Sequence, residues 1–339
     1  ETQKVSVLHN FNDAFLTSSA VTSTDEGDTH PTFDADVVTS GDSSSKVRLR
    51  MTDNDGSSVT PSNTLNYFRI GIGDDDSTGY VGELGLFNDI THVDIIDSST
   101  VTLNAISHGP HCGAKYFINV KNQSTGETGN MEALVTHDGT TAYVVEYGDV
   151  TSGNDAMLTL TADIDSNLVR LRGTANSGAN TRVTAYRILL ADDEADRTGT
   201  NVNVIGEVTV SSSATLLDSF NTDTYQGAHY IIVGTKSNDS CIMEATVISD
   251  GTEASVSEGP QVSTKGTAQL QLTASHSSTT TTLQASSTSG GSTTVNAYRI
   301  TLAKPTGTAY TEIDSFAHGS TQGALYVAVT HQTDDKSAI

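Results

Sequence analysis

Several residue types that commonly mark a fold or a partner are scarce in this chain. Its 339 residues include no tryptophan, two cysteines and five prolines, and lysine and arginine together number 17. Two cysteines are too few for a disulfide-stapled scaffold. No apolar run approaches the roughly 18 residues that a transmembrane helix needs. The composition therefore predicts a chain with neither a membrane span nor a disulfide framework.

The charge of the chain is strongly one-sided. Aspartate and glutamate number 41, so the formal net charge is −24 at pH 7. Nucleic-acid binding requires basic patches that neutralise phosphates, and this chain offers few residues for them. We therefore expect no nucleic acid among its partners. High acidity instead keeps a surface soluble and discourages self-association.

The abundant residues point to β-structure. Serine and threonine make up about a quarter of the chain, well above ordinary usage. Apolar and polar residues alternate with period two in residues 158–165 and again in 268–275. Such alternation is typical of an antiparallel strand with one buried face. Asp-Gly and Ser-Gly pieces separate these runs, as turns between strands require.

Four short motifs occur twice in the same order. They read Gly-Ala-x-Tyr, Met-Glu-Ala, Asp-Gly-Thr and Ala-Tyr-Arg-Ile, at residues 113–116, 131–133, 138–140 and 185–188 and again at 227–230, 243–245, 250–252 and 297–300. The two copies are offset by 114 residues at the first motif and by 112 at the last. Matching order and spacing over this distance indicate an internal repeat of about 100–115 residues.

Both ends of the chain carry parts of the same repeat. Residues 314–316 and 323–326 match the opening of the second copy, while 47–50 and 68–70 echo later strands of the first. The predicted organisation is a partial repeat, two whole repeats and the truncated start of another, at residues 1–77, 94–192, 204–305 and 311–339. Because partial repeats flank the whole ones, this organisation predicts a piece of a longer modular polypeptide.

The sequence pattern of each whole repeat predicts a small β-sandwich. The second contains seven alternating segments, near 213–220, 227–236, 241–249, 253–258, 267–275, 280–287 and 294–303. Seven short strands in about 100 residues, without a long helical period, are typical of an immunoglobulin-like sandwich. A jelly-roll-like sandwich is the alternative. The fold class is therefore all-β, built from tandem antiparallel sandwiches.

Three acidic turns are candidates for calcium. Asp53-Asn54-Asp55-Gly56 has alternating oxygen ligands, but residue 62 is serine where an EF-hand loop needs a bidentate glutamate. Residues 74–76 and 192–194 are also acidic. Solvated turns between strands are the competing interpretation, so we assign no residue as a metal ligand and no cofactor.

One histidine pair and the two cysteines are the remaining candidates for metal or redox chemistry. His108, His111 and Cys112 lie close together in sequence, as zinc ligands can, but without a second ligand pair at fixed spacing. The second repeat has neither histidine nor cysteine at 221–226, which favours a variable surface loop. Cys241 begins an alternating strand and is predicted to be a small buried hydrophobe.

Charged residues that recur in the repeats are Glu132 and Glu244, together with Arg69, Arg187 and Arg299. A catalytic carboxylate would need a second acid in a matching position, and none recurs nearby. A cross-strand or inter-repeat ion pair explains the recurrence better. No nucleophile elbow and no phosphate-binding glycine loop is present. We therefore predict that the chain is not an enzyme and assign no catalytic residue.

The four motifs resemble the repeated β domains of structural proteins in marine tailed phages, especially those that infect cyanobacteria. The resemblance covers residues 95–339 and, more loosely, 1–75. It implies a virion structural protein: a modular fibre, a tail or neck appendage, or a capsid decoration. It also implies a place at the virion surface, no cofactor, and assembly with other virion proteins and with copies of itself, as in trimeric fibres.

Two other interpretations stay open. An extracellular adhesin or receptor-binding module would use loops at the sandwich ends, such as 107–112 and 221–226, to contact a host cell surface. A secreted enzyme with accessory sandwiches would need a catalytic domain outside these residues.

Overall fold

The computed structural model describes the strands and most turns of the chain. The described residues are 2–9, 14–18, 32–38, 46–52, 63–73, 89–96, 99–153, 155–176, 180–191, 203–237, 239–267, 269–303, 314–317 and 321–332. These segments form antiparallel strands joined by turns. The predicted all-β sandwich fold is therefore confirmed. Within the described segments there is no helix long and apolar enough to cross a membrane.

The strands are numbered in chain order. The first group comprises β1 (Thr2–His9), β2 (Ala14–Ser18), β3 (Thr32–Val38), β4 (Lys46–Thr52) and β5 (Asn63–Gly73). The second comprises β6 (Asp89–Ile95), β7 (Thr100–Ser107), β8 (His111–Asn122), β9 (Thr128–His137), β10 (Ala142–Thr151), β11 (Leu158–Asp165), β12 (Leu168–Ala175) and β13 (Thr181–Ala191). The third comprises β14 (Asn203–Val210), β15 (Thr215–Asn221), β16 (Tyr225–Lys236), β17 (Asp239–Ser249), β18 (Ala254–Ser263), β19 (Leu270–Ser277), β20 (Thr280–Ser287) and β21 (Thr293–Ala303). The last are β22 (Asp314–Ala317) and β23 (Thr321–Gln332).

Two sandwiches have the same topology. In the first sandwich, a five-stranded sheet of order β10-β9-β8-β13-β6 faces a three-stranded sheet of order β11-β12-β7. In the second sandwich, the orders are β18-β17-β16-β21-β14 and β19-β20-β15. Because every strand has its counterpart, the recurring sequence motifs occupy equivalent places in both.

Strands from the two ends of the chain form a third sandwich. Its larger sheet has the order β2-β1-β23-β5 and its smaller sheet the order β22-β4-β3. Strand β23 lies between β1 and β5 and hydrogen-bonds to both. Segments 1–77 and 311–339, predicted as separate partial repeats, thus share both sheets, because β23 supplies the central strand that β1 and β5 flank. The four segment limits themselves stay predictions.

The sequence misses one strand in each whole repeat. Each of the seven segments predicted in the second repeat coincides with a strand, but β14 precedes them and was not predicted. The corresponding strand β6 spans the predicted start of the first repeat at residue 94. Both are edge strands that pair with the last strand of their sandwich. Each contributes only a few residues to its core, such as Ile95 and Val210, so its hydrophobic pattern is short.

Each of these two sandwiches has its own apolar core, and a further core lies between them. Tyr116 and Leu171 belong to the core of the first, and Tyr230 and Leu272 to that of the second. The core between the sandwiches includes Phe117, from the opposite face of β8. Alternation along the strands sends neighbouring side chains to opposite faces. The larger sheets are therefore apolar on both faces and bury both.

The larger sheet of the first sandwich packs on the other two larger sheets. Strand β9 lies against β17 of the second sandwich and against β1 of the third. Strands β16 and β21 of the second also approach β23 and β5 of the third. The described sandwiches accordingly form one packed block.

Candidate functional site

The glutamate of the Met-Glu-Ala motif places its charge between the sandwiches. Met131 and Ala133 point into the first sandwich core, so Glu132, on the opposite face of β9, points towards the second sandwich. Glu244 occupies the same position on β17. The two carboxylates therefore meet a single partner in the interface.

That partner is Lys115 on β8. Its Nζ forms ion pairs with Glu132 of its own sheet and, at 2.6 Å, with Oε1 of Glu244 in the second sandwich. Nζ also hydrogen-bonds to the hydroxyl of Tyr147 on β10. The Tyr147 hydroxyl donates to Glu244 Oε1 at 2.9 Å. Four polar groups from four strands thus form one buried charge cluster.

Solvent is nearly excluded from the buried charge cluster. The side chains of Lys115, Glu132 and Glu244 are 1%, 5% and 3% exposed. The centroids of the Phe117 and Tyr147 rings lie 4.7 Å and 4.3 Å from Lys115 Nζ, with the Phe117 ring beneath the ammonium and Tyr147 approaching it through its hydroxyl. Burial raises the pKa of Tyr147 well above its ordinary value, and the charges of Glu244 and Glu132 add to that effect. The phenol is therefore a hydrogen-bond donor at all ordinary pH values.

Other hydrogen bonds also join the sandwiches to each other. Thr136 Oγ1 lies 2.6 Å from Ser240 Oγ, and Ser240 Oγ donates to the backbone oxygen of His137 at 2.8 Å. Towards the third sandwich, Asn130 Nδ2 donates to the backbone oxygen of Val7 at 3.5 Å. The interface is thus polar at defined points and apolar elsewhere.

The recurring arginines act inside the sandwiches. Arg187 donates to Asn104 Oδ1 at 2.6 Å, and the Tyr116 hydroxyl donates to the same oxygen at 3.1 Å. This set joins the last strand of the larger sheet to the first strand of the smaller sheet. It is distinct from the buried charge cluster, so the recurring arginines and glutamates are not partners of each other in the described sandwiches.

The second sandwich has an equivalent set of hydrogen bonds, in which a charged aspartate takes the place of Asn104. Arg299 forms an ion pair with Asp218 at 2.7 Å, and Tyr230 donates to Asp218 at 2.9 Å. Burial, followed by the charge of Asp218, raises the pKa of Tyr230. By strand register, Arg69 of the third sandwich stands opposite Tyr326, as Arg299 stands opposite Tyr230.

The Asp-Gly-Thr motif makes a tight turn. Asp138 Oδ1 accepts hydrogen bonds from the backbone of Thr140 and Thr141 at 2.9 Å and 2.7 Å, and Gly139 has φ = +86°. The matching turn has φ = +91° at Gly251. Such a left-handed backbone favours glycine, because L side chains clash there. This motif closes the hairpins β9–β10 and β17–β18.

The histidine–cysteine candidates do not converge into a ligand set. His111 Nδ1 and the Ser107 carbonyl oxygen lie 3.1 Å apart, and the rings of His108 and His137 stack edge-on at 5.7 Å. Cys112 is buried in the core between the sandwiches. Among the described residues, no group of three or more histidine, cysteine, aspartate and glutamate side chains could hold a metal ion.

The two cysteines lie in different cores and are not bonded to each other. Cys241 is buried inside the second sandwich, as its alternating strand predicts. Burial raises the pKa of Cys241 to about 12, which keeps it a thiol. The acidic turns considered for calcium, at 53–56, 74–76 and 192–194, lie outside the described residues.

Sequence reasoning identified Glu132 and Glu244 but missed Lys115 and Tyr147. The latter two occur in one repeat only: His229 stands at the position of Lys115 in the second sandwich. A search for recurring residues cannot find a residue present once. The available signal was a lysine among the apolar and aromatic residues from Ala114 to Ile118.

Comparisons with known proteins place the chain in no family. No protein-family model matches it, and no curated protein matches it in sequence. Among solved structures, the PBSX exported protein XepA is 12% identical, with 73% of this chain and 88% of that chain covered and a TM-score of 0.19. A structure of infectious bursal disease virus, Gx strain, is 13% identical, with coverage of 80% and 72% and a TM-score of 0.12.

Proposed function

We propose that the chain is a non-enzymatic structural protein of a virion, in a tail or neck appendage, a modular fibre, or a capsid decoration. The observation that carries this proposal is that the residues of the repeated motifs have structural roles. In the two whole repeats, the motif glycines, glutamates, tyrosines and arginines make turns, interface contacts and links between sheets. A motif that recurs because it builds scaffold fits a protein whose role is its shape.

Among these virion structures, the packing of the sandwiches favours a decoration or an appendage module. The three described sandwiches contact one another through their larger sheets, so together they form one packed block. Such a block suits a decoration or an appendage module that assembles through its outer surfaces. We propose other virion proteins and further copies of this chain as partners, at the virion surface, with no cofactor.

Electron microscopy of purified virions from the natural source tests the proposal. Density for the three-sandwich block at fixed, symmetry-related positions on the particle is the expected result. Mass spectrometry of the same virions should find the chain at a stoichiometry matching that symmetry. A chain absent from virions, and recovered instead as a free secreted protein with a ligand at the sandwich-end loops, would overturn the proposal in favour of an adhesin.

A further inference from the structure

We propose that the buried charge cluster is a covalent cross-linking site, in which the Lys115 side chain and the Glu244 carboxyl condense to an amide. The bond would join β8 of the first sandwich to β17 of the second. This inference does not depend on the proposed function, because it concerns the chemistry of one buried cluster in the isolated chain.

The reacting groups are already in contact. Lys115 Nζ lies 2.6 Å from Glu244 Oε1, the oxygen bonded to the carboxyl carbon that the nitrogen would attack. Packed sheets on both sides hold this geometry, since both side chains are nearly fully buried. Holding two reactants together in this way raises their effective concentration by several orders of magnitude once the nitrogen is aligned with the carboxyl carbon.

Burial supplies the driving force. An ammonium and a carboxylate withdrawn from water carry a desolvation cost that their attraction offsets only in part. Condensation replaces both charges with one neutral amide, which a partly apolar interface accommodates more readily. The exclusion of water from both side chains also favours transfer of a proton from nitrogen to oxygen, because burial disfavours the charged form of each group.

Glu132 is the group that moves the protons. It contacts Lys115 Nζ and takes one proton from the ammonium, which frees the nitrogen lone pair. The lone pair attacks Cδ of Glu244, and a C–N bond forms. Glu132 then passes its proton to the departing oxygen of Glu244, and a second proton moves from the nitrogen through Glu132 to the same oxygen, so that the C–O bond can break. That oxygen leaves as water, Glu132 returns to its starting state, and nothing is oxidised or reduced.

Tyr147 stabilises the negative charge that develops. Its hydroxyl donates to Glu244 Oε1, the oxygen that stays on the carbon and becomes the oxyanion of the tetrahedral intermediate. A donor placed at the developing charge in a water-poor site is an effective catalyst. The four residues thus provide nucleophile, electrophile, proton carrier and oxyanion donor.

The mass of the intact chain tests the proposal. We expect the mass of the wild-type protein to fall short of its sequence mass by one water more than the mass of the Lys115→Arg protein does. This control is necessary because an N-terminal glutamate such as Glu1, or an Asp-Gly pair such as Asp250-Gly251, can also lose water. A deficit from those sources persists in Lys115→Arg, so an equal deficit in both proteins would overturn the proposal.

Peptide mapping under denaturing conditions identifies the partner. We expect a branched peptide that joins Lys115 to Glu244 in the wild-type chain. In Glu132→Gln, which keeps the shape but loses the proton carrier, we expect the branched peptide to fall at least tenfold. Recovery of Lys115 only with a free amine refutes the cross-link even if a variant fails to fold, and a branch to Glu132 refutes the role of Glu244.

Discussion

Lys115 Nζ lies 2.6 Å from Glu244 Oε1, although the two residues belong to different sandwiches. A contact of this kind between nearly fully buried side chains fixes how the first and second sandwiches sit against each other. Breaking a buried ion pair on one side is costly, because the remaining charge stays buried without its partner. The stability of the block should therefore depend on this contact more than on any exposed ion pair.

Replacing Lys115 with methionine should destabilise the protein strongly. The change keeps an unbranched side chain one atom shorter but leaves Glu132 and Glu244 in the interface without this cation, at a cost of about 3–5 kcal/mol in the free energy of unfolding. Denaturant titration measures the loss. The matched control is Lys265→Met, since Lys265 pairs with Asp239 near the surface and should change stability by less than about 1 kcal/mol. Equal effects from the two variants would contradict a structural role for the buried charge cluster.

Replacing Leu272 with aspartate should unfold the second sandwich. Leu272 is buried in the core of that sandwich, and an unpaired charge there costs several kcal/mol. The neighbouring variant Thr273→Asp places the same charge on the exposed face of β19 and should leave the melting temperature nearly unchanged. Thermal unfolding followed by circular dichroism distinguishes them. A wild-type melting curve for Leu272→Asp would show that this core is assigned wrongly.

Comparing the hydrogen-bond sets of Arg187 and Arg299 suggests a substitution at Asp218. Asp218 in the second sandwich stands where the first has Asn104, and both accept from an arginine and a tyrosine. Asp218→Asn should therefore cost only about 1 kcal/mol, because an acceptor oxygen remains for both donors. Asp218→Ala should cost about 2–3 kcal/mol, because Arg299 and Tyr230 lose their shared acceptor. If the two variants unfold at the same denaturant concentration, the shared acceptor contributes nothing.

The fold was predictable because its signals are local and repeated. Alternation along β11 and β19 and the Asp-Gly turns at 138–139 and 250–251 each follow from a few neighbouring residues. The pairing of β23 with β1 was not predictable in the same way, since it joins residues separated by most of the chain. Half of the buried charge cluster was found because its glutamates recur. Lys115 was not predicted as part of it, because the burial of a single lysine depends on how whole sheets pack.

The turn glycines offer a test of the hairpin geometry. Gly139→Ala forces a side chain into a backbone with φ = +86° and should cost about 1–2 kcal/mol, although open space surrounds the position. Gly109→Ala is the control, because its backbone lies outside the left-handed region and the nearest atom to an added Cβ is 4.0 Å away. We expect that variant to be neutral within about 0.5 kcal/mol. A neutral Gly139→Ala would contradict the turn as described.

Acid should weaken the first sandwich through Asp163. A hydrogen bond from Arg170, with a second from Arg172, holds the pKa of Asp163 below its ordinary value. The unfolded chain, in which this carboxyl titrates near 3.9, therefore binds more protons than the folded protein in the window below that pKa. The stabilisation is complete above about pH 5 and is lost as the pH falls through the folded pKa. Because Asp163 is about a third exposed, solvent screens the pair and the loss is small. Denaturant titrations between about pH 3 and pH 6 should show a shallower fall in stability for Asp163→Asn than for the wild type, and parallel curves would show that the pair contributes no pH dependence.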